Sequence, residues 1–503
     1  MTGWACKGEL PQRPLAGDDD EQVPSAAARG APRAVSRLVV ISNRVAVPKA
    51  RGAAGAQGGL AGALNSALKQ NGGVWFGWSG QEVEAFTGAI NVQRSDGVTT
   101  ATIDLEPQDV DEYYNGYANS TLWPLFHYRI DLTQYEQEFG KGYERVNERF
   151  AESVLPLIEP EDTIWVHDYH LMPLGERLRA RGIRNRIGFF LHIPWPPTRL
   201  FVSLPFHERL VRALLHYDLI GFQTEEWLES FIHYCRKELG AEVDEERCTV
   251  TLDGRRTLAR AYPIGIDYDH FMAQGDTLTA RNAFQRVDAS TRNRTAMIGV
   301  DRLDYSKGLP ERVEGIGRFF DTYPECTKDL VFIQIAPPSR EDIRSYQQIR
   351  TVLEQKTGQI NGARSDIDLV PIRYVNRGYS TAELFGFYRA SKIGLVTPLR
   401  DGMNLVAKEY VAAQDPEDPG VLILSRFAGA ALQMPDALLV NPYSPDDLAH
   451  NIRIALDMPL AERRERWDRL IVNVREQNVL RWTEAILGDL EAIEPQPAAG
   501  SGS

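Results

Sequence analysis

AYPIGID, Ala261–Asp267, is the stretch on which the fold turns. Pro263 and Gly265 punctuate the chain there, just before a polar segment, and a pattern of short apolar runs that has ended begins again beyond it. On the amino-terminal side β-branched runs alternate with amphipathic stretches: LVVISN at Leu38, TIWVHD at Thr163, IGFFLHI at Ile187 and LIGFQT at Leu219. On the carboxyl-terminal side come RTAMIGV at Arg294, LVFIQIA at Leu330, LVPIRYV at Leu369, IGLVTP at Ile393, VLILSRF at Val421 and ALLVNP at Ala437. This rhythm predicts βαβ units on parallel sheets, whose strands are buried on both faces and read as continuous apolar runs. A single sheet would hold ten or more strands, beyond the usual size of a strongly twisted open sheet, so two sheets are predicted.

The chain has 503 residues, which at about 150 per domain gives roughly two to four folding units. A composition of 43% hydrophobic and 25% charged residues is that of a soluble globular chain and excludes collagen-like, coiled-coil and wholly disordered classes. Lys and Arg total 56 against 69 Asp and Glu, and the net charge of -13 repels phosphate backbones, which argues against nucleic acid as a partner. Cys6, Cys235, Cys248 and Cys326 are scattered without a C-x-x-C spacing, which argues against zinc, haem or a disulfide framework and fits a reducing cytoplasm. No apolar run reaches the 18 or so residues a membrane span needs. Residues 1–36 and 495–503, rich in Ala, Gly, Pro and Ser, read as disordered tails without a secretory core.

Ligands of doubly wound sheets bind beyond the carboxyl ends of the strands. Those ends carry Ser42-Asn43-Arg44, His167-Asp168, His192, Asp301-Arg302, Pro337 to Arg340 and Pro398 to Asn404. Gly58 and Gly59 in QGGLAGAL precede a helix and let backbone N–H groups approach an anion or sugar, although a plain turn reads the same way. In GVDRLDYSKGLPER, Arg302 supplies a planar fork and Lys307 a point charge suited to a diphosphate. Asp301 and Asp304 interleave there, as in a solvated surface loop. In TPLRDGMNLVAKEYVAAQ, Asp401 either caps a helix or holds sugar hydroxyls, and Glu409 is either solvated or accepts from a ribose diol. His167 and His170 flank Asp168 without a third ligand at a metal-binding spacing, and no metal is predicted. His192 precedes three prolines at a strand end, where a ring is either core or ligand-facing. The aromatics of Asp111–Tyr128 suit sugar stacking but also core packing. Asn119-Ser120-Thr121 matches a glycosylation acceptor by chance in a chain without a secretion signal.

Taken together, VVISNRVAVP, GGLAGAL, WFGWSG, DEYYNGYANSTLWPLFHYR, WVHDYHLMPL, GFFLHIPWPP, DRLDYSKGLPER and TPLRDGMNLVAKEYVAAQ closely resemble the trehalose-6-phosphate synthase family, almost continuously from Arg37 to Ile493. The resemblance implies an α/β chain of GT-B architecture: Rossmann-like domains at 37–264 and 265–475 facing a central cleft, and a helix at 476–494 packing back on the first. It implies a retaining glucosyltransferase that joins glucose from a nucleotide-glucose to glucose 6-phosphate. UDP-glucose is the family's usual donor, and ADP- or GDP-glucose stays open.

Carried over by position, Arg44, Tyr114 and Arg340 would hold the acceptor's phosphate and Asp168 its hydroxyls, with Trp78 lining the pocket. Gly58 and Gly59 would close over the donor diphosphate, Arg302 and Lys307 would neutralise it, and Glu409 would hold the ribose. Asp401, Gly402, Met403, Asn404, Leu405 and Val406 would hold glucose and phosphate, and Tyr379 would mark the nucleobase contact. His192 and Trp123 match positions near the anomeric carbon. Arg302, Lys307, His192 and Asp401 are the implied catalytic set. The family is described by same-face attack in which the leaving diphosphate takes the acceptor's proton, and no motif here supplies the carboxylate pair of an enzymic nucleophile mechanism. No cofactor or metal is implied, and the likeness implies a homo-oligomer, dimer or tetramer, in the cytoplasm, serving stress protection. A synthase for glucosylglycerol phosphate or a pseudo-sugar, and a binding module without turnover, are the rival readings.

Overall fold

The computed structural model of the protein describes residues 37–45, 64, 68, 72–95, 97–291, 294–340, 343–367 and 369–494. Both tails and the loop holding Gly58 and Gly59 lie outside these residues. The strands form two sheets. The first contains β1 (Leu38–Arg44), β2 (Gly73–Glu82), β3 (Asn91–Ser95), β4 (Val98–Leu105), β5 (Thr163–His167), β6 (Ile187–Phe190), β7 (Leu219–Phe222), β8 (Glu242–Asp244), β9 (Thr249–Leu252) and β10 (Arg255–Ala261), in the order β3-β4-β2-β1-β5-β6-β7-β10-β9-β8. The second contains β11 (Thr295–Val300), β12 (Leu330–Ile335), β13 (Ile372–Val375), β14 (Ile393–Val396), β15 (Val421–Ser425) and β16 (Leu438–Val440), in the order β13-β12-β11-β14-β15-β16. The architecture is the α/β, doubly wound arrangement expected from the sequence.

In the second sheet every pairing is parallel. The first sheet reaches ten strands by itself, because antiparallel strands extend both edges: β3 beside β4, and β9 and β8 beyond β10. Strand count alone therefore did not separate the sheets; the restart of the pattern did. The helical layers explain the apolar runs. In β1, Val39 and Ile41 belong to one buried cluster and Leu38 and Val40 to another, so alternate side chains serve the cores on opposite faces.

The chain leaves the first sheet at Ala261 and enters a helix at Tyr268–Gly275. The intervening peptide is tightly packed: a Cβ at Gly265 would lie 1.9 Å from the Gln477 carbonyl oxygen, and the Val479 amide donates to the Ile266 carbonyl at 3.1 Å. The outgoing and returning segments thus cross side by side. The returning helix, Val479–Ala492, lies on the first sheet: Trp482 packs 4.8 Å from Trp165, Leu490 covers Gly188, and Asp489 pairs with Arg260 at 2.8 Å. Among the described residues no helix is long and apolar enough to cross a membrane.

Candidate active site

Each sheet has a point where strand order reverses, and at such a point a crevice opens beyond the carboxyl ends. In the second sheet it lies between β11 and β14, whose following loops carry Arg302–Lys307 and Asp401–Asn404. In the first it lies between β1 and β5, which end at Arg44 and His167. The two ends meet. A Cβ at Gly402 would lie 2.0 Å from the His192 carbonyl oxygen, so only glycine lets the second sheet's loop approach the end of β6 this closely. Arg400, two residues earlier, crosses to the first domain and stacks 3.8 Å from the Tyr128 ring centroid.

On the first sheet's side, Arg44 is exposed, with its guanidinium 4.9 Å from the Trp78 ring and one N–H directed at the Gly80 carbonyl at 3.4 Å. Trp78 is buried, anchored through its indole N–H to the Gln81 carbonyl at 2.8 Å, and meets Tyr114 edge-on at 5.6 Å. Tyr114 sits on a π-helix, Val110–Leu122, a rare form that re-aims side chains at functional sites. The same helix buries Tyr113, whose hydroxyl donates to Asn43 Oδ1 at 2.8 Å, beside Arg44. Asn119 on this helix is 1% exposed, so the sequon is not an accessible acceptor.

Asp168 has a left-handed backbone, φ 76°, and its Oδ1 accepts from the His192 amide at 3.3 Å. Burial pushes its carboxyl up to about 6, against the backbone donors of Tyr169 and His192 and the charges of Arg340 and Arg302. His192 is neutral: burial lowers it to about 3, and its Nε2 lies 3.1 Å from His167 Nδ1. Gln223 fixes the tautomer. Its Oε1 accepts from the Ile264 amide at 3.0 Å, so its NH2 faces His192 Nδ1 at 3.4 Å and Nε2 carries the proton. Trp123 is buried under two cations, Arg340 at 4.0 Å and Arg302 at 6.0 Å from its ring.

On the second sheet's side Arg302 is exposed and has no ion-pair partner among the described residues. Lys307 is already paired with Asp401 Oδ2 at 2.5 Å, and the Asn404 amide donates to the same oxygen at 3.0 Å. Asn404 is left-handed at φ 73° and begins the helix Leu405–Ala413, with its Oδ1 buried and without a partner among the described residues. Met403 is buried beneath this turn, while Leu405 and Val406 are half-buried at the helix start. Glu409, one turn in, meets the Tyr388 hydroxyl at 3.3 Å and is pushed up to about 7 by burial. Tyr379 stands apart from this group: its ring packs on Phe387 at 4.9 Å and its hydroxyl accepts from Arg377 at 3.0 Å.

The acidic residues flanking Arg302 in this segment are not solvated, contrary to the plain reading of that loop. Asp301 and Asp304 are both buried. Asp301 pairs at 2.6 Å with Arg312, which also donates to Gln334 at 3.0 Å and Thr397 at 2.8 Å, tying the ends of β11, β12 and β14 together. Arg340, left-handed at φ 50°, turns inward onto Asp304 at 3.4 Å, Tyr169 at 3.1 Å and Tyr346. The sequence pattern signalled Arg340 but not these partners. Of seven described non-glycine residues with positive φ, four (Tyr128, Asp168, Arg340 and Asn404) line this junction, and such conformations persist where the surroundings hold them. No cluster of three potential metal ligands occurs among the described residues. A surface depression of about 510 Å³ bordered by Asp436, Glu462 and Glu465 lies elsewhere, and its Arg466 and Arg469 are paired with those carboxylates.

Residues 36–492 match the profile of Glycosyltransferase family 20. The chain belongs to glycosyltransferase family 20. A trehalose-6-phosphate synthase of Sinorhizobium fredii is 47% identical over 91% of this chain and 99% of its own. Among solved structures, an α,α-trehalose-phosphate synthase (UDP-forming) of Burkholderia xenovorans in complex with glucose 6-phosphate superposes with a TM-score of 0.87 at 46% identity, covering 91% of this chain and all of the other. A trehalose-6-phosphate synthase studied with bisubstrate glycomimetics, for insight into glycosyl transfer with retention, gives a TM-score of 0.85 at 43% identity, over 92% of this chain and all of its own. As a family 20 glycosyltransferase, the protein has the GT-B fold.

Proposed function

We propose that the protein transfers glucose from UDP-glucose to glucose 6-phosphate with retention, forming α,α-trehalose 6-phosphate and UDP. The observation that carries this reading is the meeting of the two sheets' carboxyl ends: Gly402, in the loop after β14 at the second sheet's reversal, packs on the His192 carbonyl at the end of β6, the strand beside β5, so two ligands held at the two sets of strand ends share one junction. The relatives support the chemistry assigned to each side.

The roles follow from what each group presents. The exposed Arg44 edge, Tyr114 and the unpaired part of Arg340 receive the acceptor's phosphate; Trp78 walls the pocket, and Asp168 accepts from the sugar hydroxyls. Arg302 and Lys307 receive the diphosphate, the latter by exchanging Asp401 for a phosphate oxygen and freeing that carboxylate for the glucose hydroxyls. The amides from Gly402 to Val406, at a helix start, add positive potential, and Glu409 accepts from the ribose diol. The resemblance assigns the diphosphate to Gly58 and Gly59, which lie outside the described residues, and the nucleobase edge to Tyr379. His192 and Trp123 shape the anomeric centre, where a neutral imidazole adds no competing charge.

In the transfer step the C1–O bond to the diphosphate breaks and the acceptor's O1 bonds to C1 on the same face. The O1 proton passes to the departing phosphate oxygen. Arg302 and Lys307 then stabilise charge that grows as the bond breaks. This scheme needs no enzymic nucleophile and no metal. The remaining features of the proposal, a homodimer or homotetramer in the cytoplasm, rest on the resemblance.

The test is to incubate the protein with glucose 6-phosphate and UDP-, ADP- or GDP-glucose in turn, with chelator present, and read the product by NMR. The α,α-1,1 disaccharide phosphate, fastest from UDP-glucose, is expected. A β-configured product, free glucose serving equally well as acceptor, or binding without product would contradict the proposal.

A further inference from the structure

Asp304 lies two residues beyond Arg302, and its carboxylate is fully buried at the junction of the domains. Oδ1 accepts from the Ser306 amide at 2.9 Å and the Trp123 indole N–H at 3.4 Å. Oδ2 accepts from the Tyr346 hydroxyl at 3.0 Å and from Arg340 at 3.4 Å. Trp123 comes from the first domain; Ser306, Arg340 and Tyr346 come from the second. One carboxylate therefore joins the acceptor side to the loop that carries Arg302 and Lys307.

Arg340 is held on every side. Its guanidinium lies 4.0 Å over the Trp123 ring and 5.5 Å from the Tyr346 ring. Hydrogen bonds to Asp304, Tyr346 and Tyr169 take three of its five N–H groups, leaving two, Nε–H among them, without a partner among the described residues. Burial alone would raise the Asp304 carboxyl, but Arg340, Lys307 and Arg302 bring it down to about 2, so it is an anion throughout the working range.

We propose that Asp304 is a positioning residue: it fixes the Arg340 guanidinium against Trp123 so that the two remaining N–H groups face the acceptor's phosphate. The proposal rests on the reading of Arg340 as a phosphate ligand, and extends it to a residue that touches neither substrate. Asp304 acts on recognition of the acceptor through Arg340, while its bond to the Ser306 amide shapes the neighbouring turn independently of its charge.

Asp304→Asn separates these parts. Asn keeps an oxygen for the Ser306 amide, since it caps a turn as well as Asp does, but it directs an NH2 at the Arg340 cation. The glucose 6-phosphate Kd, read by calorimetry, is expected to rise about tenfold, as for loss of a charge-assisted bond, with the UDP Kd changed less than about threefold. In an Arg340→Ala background the same substitution is expected to change the glucose 6-phosphate Kd by less than about twofold, because the residue it acts through is gone. Tyr346→Phe, which removes the second anchor with little change of shape, should raise the same Kd by about threefold, and it supplies the test should Asp304→Asn not fold. An equal rise with and without Arg340, or a loss falling on UDP, overturns the proposal. Glucose 6-phosphate binding without disaccharide formation by the unaltered protein would defeat the proposed activity and leave the Asp304 cycle to be judged separately.

Discussion

Among the described residues Arg44, at the end of β1, touches little besides the Gly80 carbonyl and the Trp78 ring, whereas the cations of the second domain's strand ends are mostly committed: Lys307 to Asp401, Arg312 to Asp301, Arg340 to Asp304. Arg302 is the exception on that side. The difference is one of chemistry. Charge that must be in place as a bond breaks is best held in a fixed, preorganised array, because groups that reorient during the reaction contribute less to the transition state. A phosphate remote from the reacting atoms needs only a charged edge open to it. The second domain thus holds Lys307 on the donor side and Arg340 on the acceptor side in fixed frames of carboxylates and tyrosines, while Arg302 and Arg44, one for each substrate, stay open to an incoming phosphoryl group.

Removing charge from each half probes that contrast. Arg302→Ala should lower kcat by about a hundredfold or more, as loss of a cation facing the charge that grows on the leaving phosphate does, with the KM for glucose 6-phosphate little changed. Equal losses in both parameters would erase the distinction. Arg44→Ala should raise the KM for glucose 6-phosphate by about tenfold or more while kcat falls less than about threefold. A kcat effect as large as that of Arg302→Ala would place Arg44 in the transfer step instead.

The smallest expected effect is a pH dependence. Burial pushes Glu409 up to about 7, and the carboxylate rather than the acid is the strong acceptor for a ribose diol. Donor binding should therefore strengthen as pH rises through about 7, with the KM for UDP-glucose roughly tenfold higher at pH 6 than at pH 8. The diphosphate diester has no proton to lose in this range and saturating glucose 6-phosphate removes the acceptor's own titration, while the neighbouring Lys408, also lowered to about 7 by burial, is bound to the Ile264 carbonyl and Gln433, so Glu409→Gln is the control that assigns the profile. Glu409→Gln should flatten the profile, and an unflattened one removes Glu409 from donor binding.

Much of this was legible in the sequence because parallel strands buried on both faces leave continuous apolar runs; β1, β5 to β7 and β11 to β16 all lie on runs recognised at the outset. The antiparallel edges were not. β3 is exposed along its whole length, and β8 to β10 are polar or charged at many positions, so neither carries that signal. In the site, Arg302 and Lys307 declared themselves by charge at a strand end. Asp301 and Asp304 did not, because an acidic residue in a charged strand-end segment looks the same in sequence whether water or a buried arginine satisfies it. Tyr346 and Gln223 act through tertiary contacts that no local pattern encodes. Gly402 lay within a motif, but only the His192 carbonyl opposite explains why it has no side chain.

The account depends on two phosphoryl groups being held at once by opposite halves of one junction. A crystal of the protein grown with UDP and glucose 6-phosphate together tests it most directly. It should show the diphosphate on Arg302 and Lys307, with Asp401 released from Lys307, and the sugar phosphate against Arg44 and Arg340. A sugar phosphate bound away from both arginines, or a diphosphate that leaves the Lys307–Asp401 pair intact, would contradict it.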